Sequence, residues 1–226
     1  MNESEELFHR FAKARRWRVK RVDPHSLPLG SAAPDFRLRL ADSTTIVVEV
    51  KQFDPNPKEQ EEQRRLEAGE VVVQGTKPGK RLRKVVTKAN KQLKALGGCK
   101  PGMLVVHNRT VNSQHDHSYS VLTAMRGLDE TDVHVPTDPG APPVFGPIRP
   151  GREKKMTAEM NRSVSCIGVL REFWSDSAQM TGDPEYVLDV YHNQFATHPL
   201  DPSRLVGCNV MHYRMNEDQT SWERHP

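Results

Sequence analysis

Asp35, Glu49 and Lys51 are the residues of this 226-residue chain whose types and spacing are best suited to chemistry. Phe36, Leu38 and Leu40 alternate with Asp35, Arg37 and Arg39. After a polar turn at Asp42-Ser43-Thr44, Ile46, Val48 and Val50 alternate with Val47, Glu49 and Lys51. Period-two alternation with β-branched residues predicts two half-buried strands paired as a hairpin. Directly opposed residues share a face, so register decides whether the charges meet. A two-residue loop would set Asp35 against Val50 and scatter the polar groups. A three-residue loop sets Asp35 against Glu49 or Lys51 and matches apolar residues with apolar ones, so the odd loop is expected. Two converging carboxylates with an ammonium beside them suit a hard cation such as Mg²⁺. Such an ion polarises a phosphoryl oxygen and activates water, and Lys51 would orient that water or stabilise charge on the phosphate. A surface hairpin with a solvated Glu–Lys pair would have the same sequence.

Several elements must position these groups. Residues 4–17 read as an amphipathic helix with Ser4 as cap, Glu5 and Glu6 in the first turn, and Leu7, Phe8, Phe11 and Ala14 as the apolar stripe. Val19 to Val22 reads as a strand. After the hairpin, Asn56 as N-cap, Pro57 as first residue, Glu59 as capping-box partner and Gly69 as stop define a short helix. That helix is almost wholly charged, which predicts a solvent-facing insertion within residues 54–79. Gly75 to Arg81 is a basic, Gly-rich turn suited to a backbone phosphate at a helix start, and it opens a long helix through Leu96. Leu82, Val85, Val86, Ala89, Leu93 and Leu96 would face the core of that helix. Lys77, Lys80, Arg81, Lys84 and Lys88 are the candidate nucleic-acid contacts.

Met103 to Val106 reads as a buried strand running into His107-Asn108, and Tyr186 to Tyr191 as another running into His192-Asn193. Both pairs could reach one sheet edge. His115-Asp116-His117 reads as a solvated turn. The core is expected over residues 1–128. A Pro- and Gly-rich irregular loop follows over 129–162, and strands in 163–226 extend the same domain.

Apolar residues make up 35% of the chain and mean hydropathy is −0.71, which implies long polar loops. No run approaches the length of a membrane span, and the first residues lack the pattern of a signal peptide. Cys99, Cys166 and Cys208 form neither a metal-ligand spacing nor an even disulfide set, as expected of reduced thiols in a cytoplasmic protein. Net charge is only +4, but Arg10–Arg21 holds seven basic residues and Lys77–Lys100 nine, with no acid in either. Two concentrated basic tracts on an otherwise acidic chain suggest a localised surface for a polyanion.

Pro34-Asp35, followed after thirteen intervening residues by Glu49-Val50-Lys51, resembles the signature of the PD-(D/E)xK nuclease superfamily. The order of helix, hairpin, basic helix and apolar strand is similar to that superfamily's core, over residues 1 to about 110. The resemblance implies an α/β fold with a restriction-endonuclease-like core, a central mixed β-sheet flanked by helices, here with a C-terminal β-rich extension. It implies that Asp35 and Glu49 hold Mg²⁺, for which Mn²⁺ can substitute, and that Lys51 assists the attacking water. In such nucleases the first helix often adds an acid, for which Glu5 is the candidate ahead of Glu6. In RecB-like members a Gln on the basic helix lies at the site, a place Gln92 fits, while Leu96 stands where those members carry Tyr.

The expectation is therefore a Mg²⁺-dependent nuclease acting on DNA rather than RNA, in defence or DNA processing. No membrane is involved, and a homodimer would ease cutting of both strands. The alternative is an inactive nucleic-acid-binding or scaffolding protein on the same fold.

Overall fold

The computed structural model describes residues 1–226 except 29, 31, 74–76, 111, 139, 174–183 and 226. Gly75 and Thr76 of the basic turn, and Pro139 of the Pro-rich segment, thus lie outside the described residues. The fold is α/β, with a mixed eight-stranded sheet flanked by helices. In chain order the elements are α1 (Glu3–Ala14), β1 (Arg18–Arg21), β2 (Phe36–Arg39), β3 (Thr45–Phe53), α2 (Pro57–Glu67), α3 (Lys80–Gly97), β4 (Gly102–Asn108) and α4 (Ser118–Arg126). Four two-residue strands follow: β5 (Asp129–Glu130), β6 (Val133–His134), β7 (Val144–Phe145) and β8 (Arg149–Pro150). The last four are β9 (Cys166–Phe173), β10 (Glu185–His192), β11 (Val210–Met215) and β12 (Trp222–Arg224). The main sheet runs β1-β2-β3-β4-β9-β10-β11-β12, so the late strands complete the same sheet as the hairpin.

The hairpin has the expected odd register. Phe36 lies opposite Val48 and Leu38 opposite Ile46, and Ala41 to Ser43 turn the corner with Leu40 N–H bonded to Thr44 O at 2.9 Å. Ser43 adopts a left-handed conformation at φ 69°, the geometry that closes a three-residue hairpin. Alternation then divides the sheet's two faces. Val48 and Val50 pack with Leu7, Phe8 and Phe11 of α1, while Val47 packs with Leu82, Val86, Ala89 and Leu93 of α3. β3 lies between β2 and β4 and is parallel to β4, so α2 and α3 form the crossover.

The first helix begins one residue earlier and ends three residues earlier than the sequence suggests, and Asn2 rather than Ser4 caps it. Ser4 is buried instead, donating its hydroxyl to Gln52 Oε1 at 2.9 Å, with His107 Nδ1 at 2.8 Å. The capping box of α2 forms as expected from Asn56 and Glu59. The insertion is not a free flap, since Glu59 also binds Arg81 of α3 at 2.8 Å and His115 at 2.7 Å. His115-Asp116-His117 is accordingly not a solvated turn. Its first member holds α2, its second accepts from Asn108 Nδ2 at 3.2 Å, and its third caps α4.

The Pro-rich segment is more regular than its composition implies, with β5 pairing β8 and β6 pairing β7. The two His-Asn pairs do not share a sheet edge. β4 runs parallel to β9 and β9 antiparallel to β10, which sends His107-Asn108 and His192-Asn193 to opposite ends. His192 lies against His212, nitrogen to nitrogen at 2.8 Å, and burial pushes its pKa down to about 3.

Candidate active site on the hairpin

Past the pair Phe36–Val48, β2 ends while β3 continues, leaving the Val50 N–H facing the missing strand. The Asp35 carboxylate takes that place, accepting from Val50 N–H through Oδ2 at 2.7 Å. The Asp35 carbonyl accepts from Val22 N–H at 3.0 Å, so the residue is fixed from both β1 and β3. An Asp at a strand end thus does the work of a backbone carbonyl, and the hairpin register sets it opposite Glu49.

Glu49 and Lys51 share the α3 face with Val47. Glu49 is fully buried, at 0% exposure, and Lys51 is 27% exposed by side chain. Their side chains form a direct ion pair through Glu49 Oε1, while Glu49 Oε2 is buried with no hydrogen-bond partner among the described residues. Burial first, and the Asp35 charge second, push the Glu49 pKa up to about 7, with Lys51 and Gln92 pulling it down. An ionised carboxylate in such a place needs a further positive charge. Oxygen donors from Asp35 and Glu49 match the preference of a hard divalent ion, and the orphaned Oε2 is an acceptor such an ion would satisfy.

Gln92 reaches this place from α3. Its Nε2 donates to Ala33 O at 3.0 Å, pinning the loop that delivers Asp35, and its amide also stabilises the Glu49 charge. Lys80, Lys84, Lys88 and Gln92 follow each other at four-residue spacing, a row that winds about 40° round α3 at each step. Each step advances about 6 Å along the helix.

Not every expected residue joins the site. Glu5 is buried on α1, across the sheet, where its Oε1 accepts from Asn2 at 3.0 Å and its Oε2 lies 3.4 Å from Arg21. Glu6 is exposed. Among the described residues no group of three or more His, Cys, Asp or Glu side chains is close enough to hold one ion, so Glu5 is not gathered with Asp35 and Glu49. Lys77, Lys80 and Lys84 line a cleft of about 610 Å³ between α2 and α3, together with Arg81, which is engaged there by Glu59. At the start of α3, Gly79 packs against α4, where a Cβ on it would lie 2.7 Å from Ser120 O.

Sequence reasoning passed over Asp189, which is buried in β10 and bound to Arg171 at 2.7 Å. The signal was a charge in the middle of an apolar strand. No helix among the described residues is long and apolar enough to cross a membrane. Comparison of the chain with family models, curated proteins and solved structures returned no match.

Proposed function

We propose that this protein is a metal-dependent nuclease with a restriction-endonuclease-like core, hydrolysing phosphodiester bonds of DNA with Mg²⁺ or Mn²⁺. The observation that carries this reading is the fully buried Glu49 carboxylate, with Oε2 unpartnered among the described residues, Lys51 on its other oxygen and Asp35 bearing on its charge. Asp35 and Glu49 would hold the ion, which when bound polarises a phosphoryl oxygen and acidifies a water. Lys51 places an ammonium where charge builds on the phosphate and where it orients the attacking water. Gln92 fixes the Asp35 loop and borders the same space. Glu5, from across the sheet, is tied to Arg21 of β1 and would not touch the reacting atoms.

The lysine row of α3 supplies the grip. Its lysines, repeating about every 6 Å, match the spacing of successive phosphates on a strand and lead from the cleft at Lys80 toward Gln92. Replacing Lys80 and Lys84 together by Ala is expected to weaken DNA binding without sequence preference. It should also flatten the salt dependence of log affinity by about two in slope, as expected for two lost phosphate contacts. Fluorescence anisotropy over a salt series reads this directly, and an unchanged slope would remove these lysines from the interface.

Incubation of the protein with plasmid, linear and single-stranded DNA in Mg²⁺, Mn²⁺ or EDTA tests the activity. Cleavage in metal and none in EDTA is the expected result. DNA binding with no cleavage in either metal would reduce the chain to a binding or scaffolding protein.

A further inference from the structure

A second cavity, of about 590 Å³, opens on the same sheet face as Glu49 and Lys51 but at the other end of the sheet. Lys51 pairs with Val106, Val106 with Val169 and Val169 with Asp189, so Asp189 occupies the same row three strands away. Strand spacing puts that at about 14 Å from Lys51. Asp189 is only 4% exposed. Its Oδ2 accepts from Arg171 Nε at 2.7 Å, and its Oδ1 is buried with no hydrogen-bond partner among the described residues. A second carboxylate, Asp116, also lines the cavity, held by Asn108 and largely withdrawn from water.

Tyr191, Tyr213 and Trp222 form an aromatic wall, and His117 and Ser118 complete the lining. Tyr191 stacks on Tyr213 with centroids 5.0 Å apart and planes 17° from parallel, and Trp222 leans on Tyr191 at 4.9 Å. The indole N–H donates to Ser118 O at 3.0 Å, which fixes the ring against the start of α4. Flat apolar walls, two carboxylates and a guanidinium together describe a particular kind of ligand. It must be planar, offer two N–H donors, and offer an acceptor for the arginine. The Watson–Crick edge of guanine has two adjacent donors at N1 and N2 beside the acceptor O6. Cytosine and adenine offer one donor group on that edge, and uracil a single N–H between two acceptors.

We propose that this cavity binds a guanine base, with Asp189 and Asp116 accepting from its N–H groups, Arg171 donating to O6, and the Tyr213–Trp222 wall covering its face. A simple organic cation, the other occupant that acidic aromatic pockets take, fits less well. Arg171 already supplies a positive charge, and the Tyr191 and Tyr213 rings cover each other's inner faces. The inference stands apart from the catalytic reading, since binding of a mononucleotide requires neither metal nor cleavage.

Calorimetric titration of the full chain with the 5′-monophosphates of guanosine, adenosine, cytidine and uridine, in EDTA, is the test. The phosphate is common to all four, so a preference reports the base. The guanosine nucleotide is expected to bind at least tenfold tighter than the uridine one. Asp189→Asn should abolish that preference. Trp222→Leu, at the partly buried edge of the wall, should weaken binding by about tenfold, in line with loss of a stacking ring. It keeps the test decisive if the Asp189 variant melts early. Equal affinity for the four nucleotides, no binding at millimolar concentration, or uptake of tetramethylammonium in preference to the guanosine nucleotide would each overturn the assignment.

Discussion

Lys51→Ala is expected to slow metal-dependent DNA cleavage by about 10²–10³-fold, the usual cost of removing one positioned group that meets charge in the transition state. The protein should stay folded. Lys51 is the partly exposed partner of a fully buried carboxylate, and breaking a buried pair is ordinarily costly because a charge is left stranded. Here the stranded group is Glu49, whose pKa already sits at about 7. Loss of the ammonium raises it further, so at neutral pH Glu49 takes up a proton instead of remaining an uncompensated anion. The same proton then competes with the metal. The variant should therefore need more Mg²⁺ as well as turn over slowly, and raising the pH should recover part of the metal affinity but not the rate. Single-turnover cleavage at several Mg²⁺ concentrations and two pH values separates the two effects. A rate within about threefold of wild type would remove Lys51 from the chemistry, since even a modest general acid–base contribution exceeds that.

Glu49→Gln should make the protein more stable and inactive at once, with a pH signature. The folded-state pKa of Glu49 lies above its ordinary value of 4.5, at about 7. Between those two values the folded protein keeps a proton that the unfolded chain has released. Stability from this group is therefore fully present below about pH 4.5 and is lost as pH rises through 7, by about 3 kcal/mol in all. Gln removes the titration. In urea denaturation the variant should match wild type near pH 4 and exceed it by up to about 3 kcal/mol at pH 8. Saturating Mg²⁺ should close the gap at pH 8 by stabilising wild type alone, because an ion bound only by the folded state adds its binding free energy. A constant offset across the pH range would mean that Glu49 is ionised throughout and that its burial is not what sets its pKa.

How far the sequence could be read depended on whether the information was local. The hairpin register was legible because apolar residues at 36, 38, 46 and 48 must meet on one face, and one slipped residue would expose them all. The capping box at Asn56 and Glu59 and the apolar stripe of α3 were legible for the same reason, as their partners lie three or four residues away. What failed was non-local. That His107 and His192 face opposite ends depends on β9 lying between them and on the direction of β10, which nothing in either strand encodes. Glu5 looked like a site residue by its place in the helix. The position of Arg21, on a strand that pairs with β2, ties it to the other side of the sheet. The contacts of His115 with Glu59 and of Asp189 with Arg171 span 56 and 18 residues and appear only once the strands are ordered.

Asp35 and Glu49 are proposed to share one divalent ion next to Lys51. Anomalous diffraction from crystals grown in Mn²⁺ at pH 8, above the pKa of Glu49, tests that most directly. A single strong peak within ligand distance of an Asp35 oxygen and of Glu49 Oε2, absent in the Glu49→Gln variant, is the predicted result. Saturating Mn²⁺ with no peak there, or a peak on other side chains that persists in the variant, would contradict it.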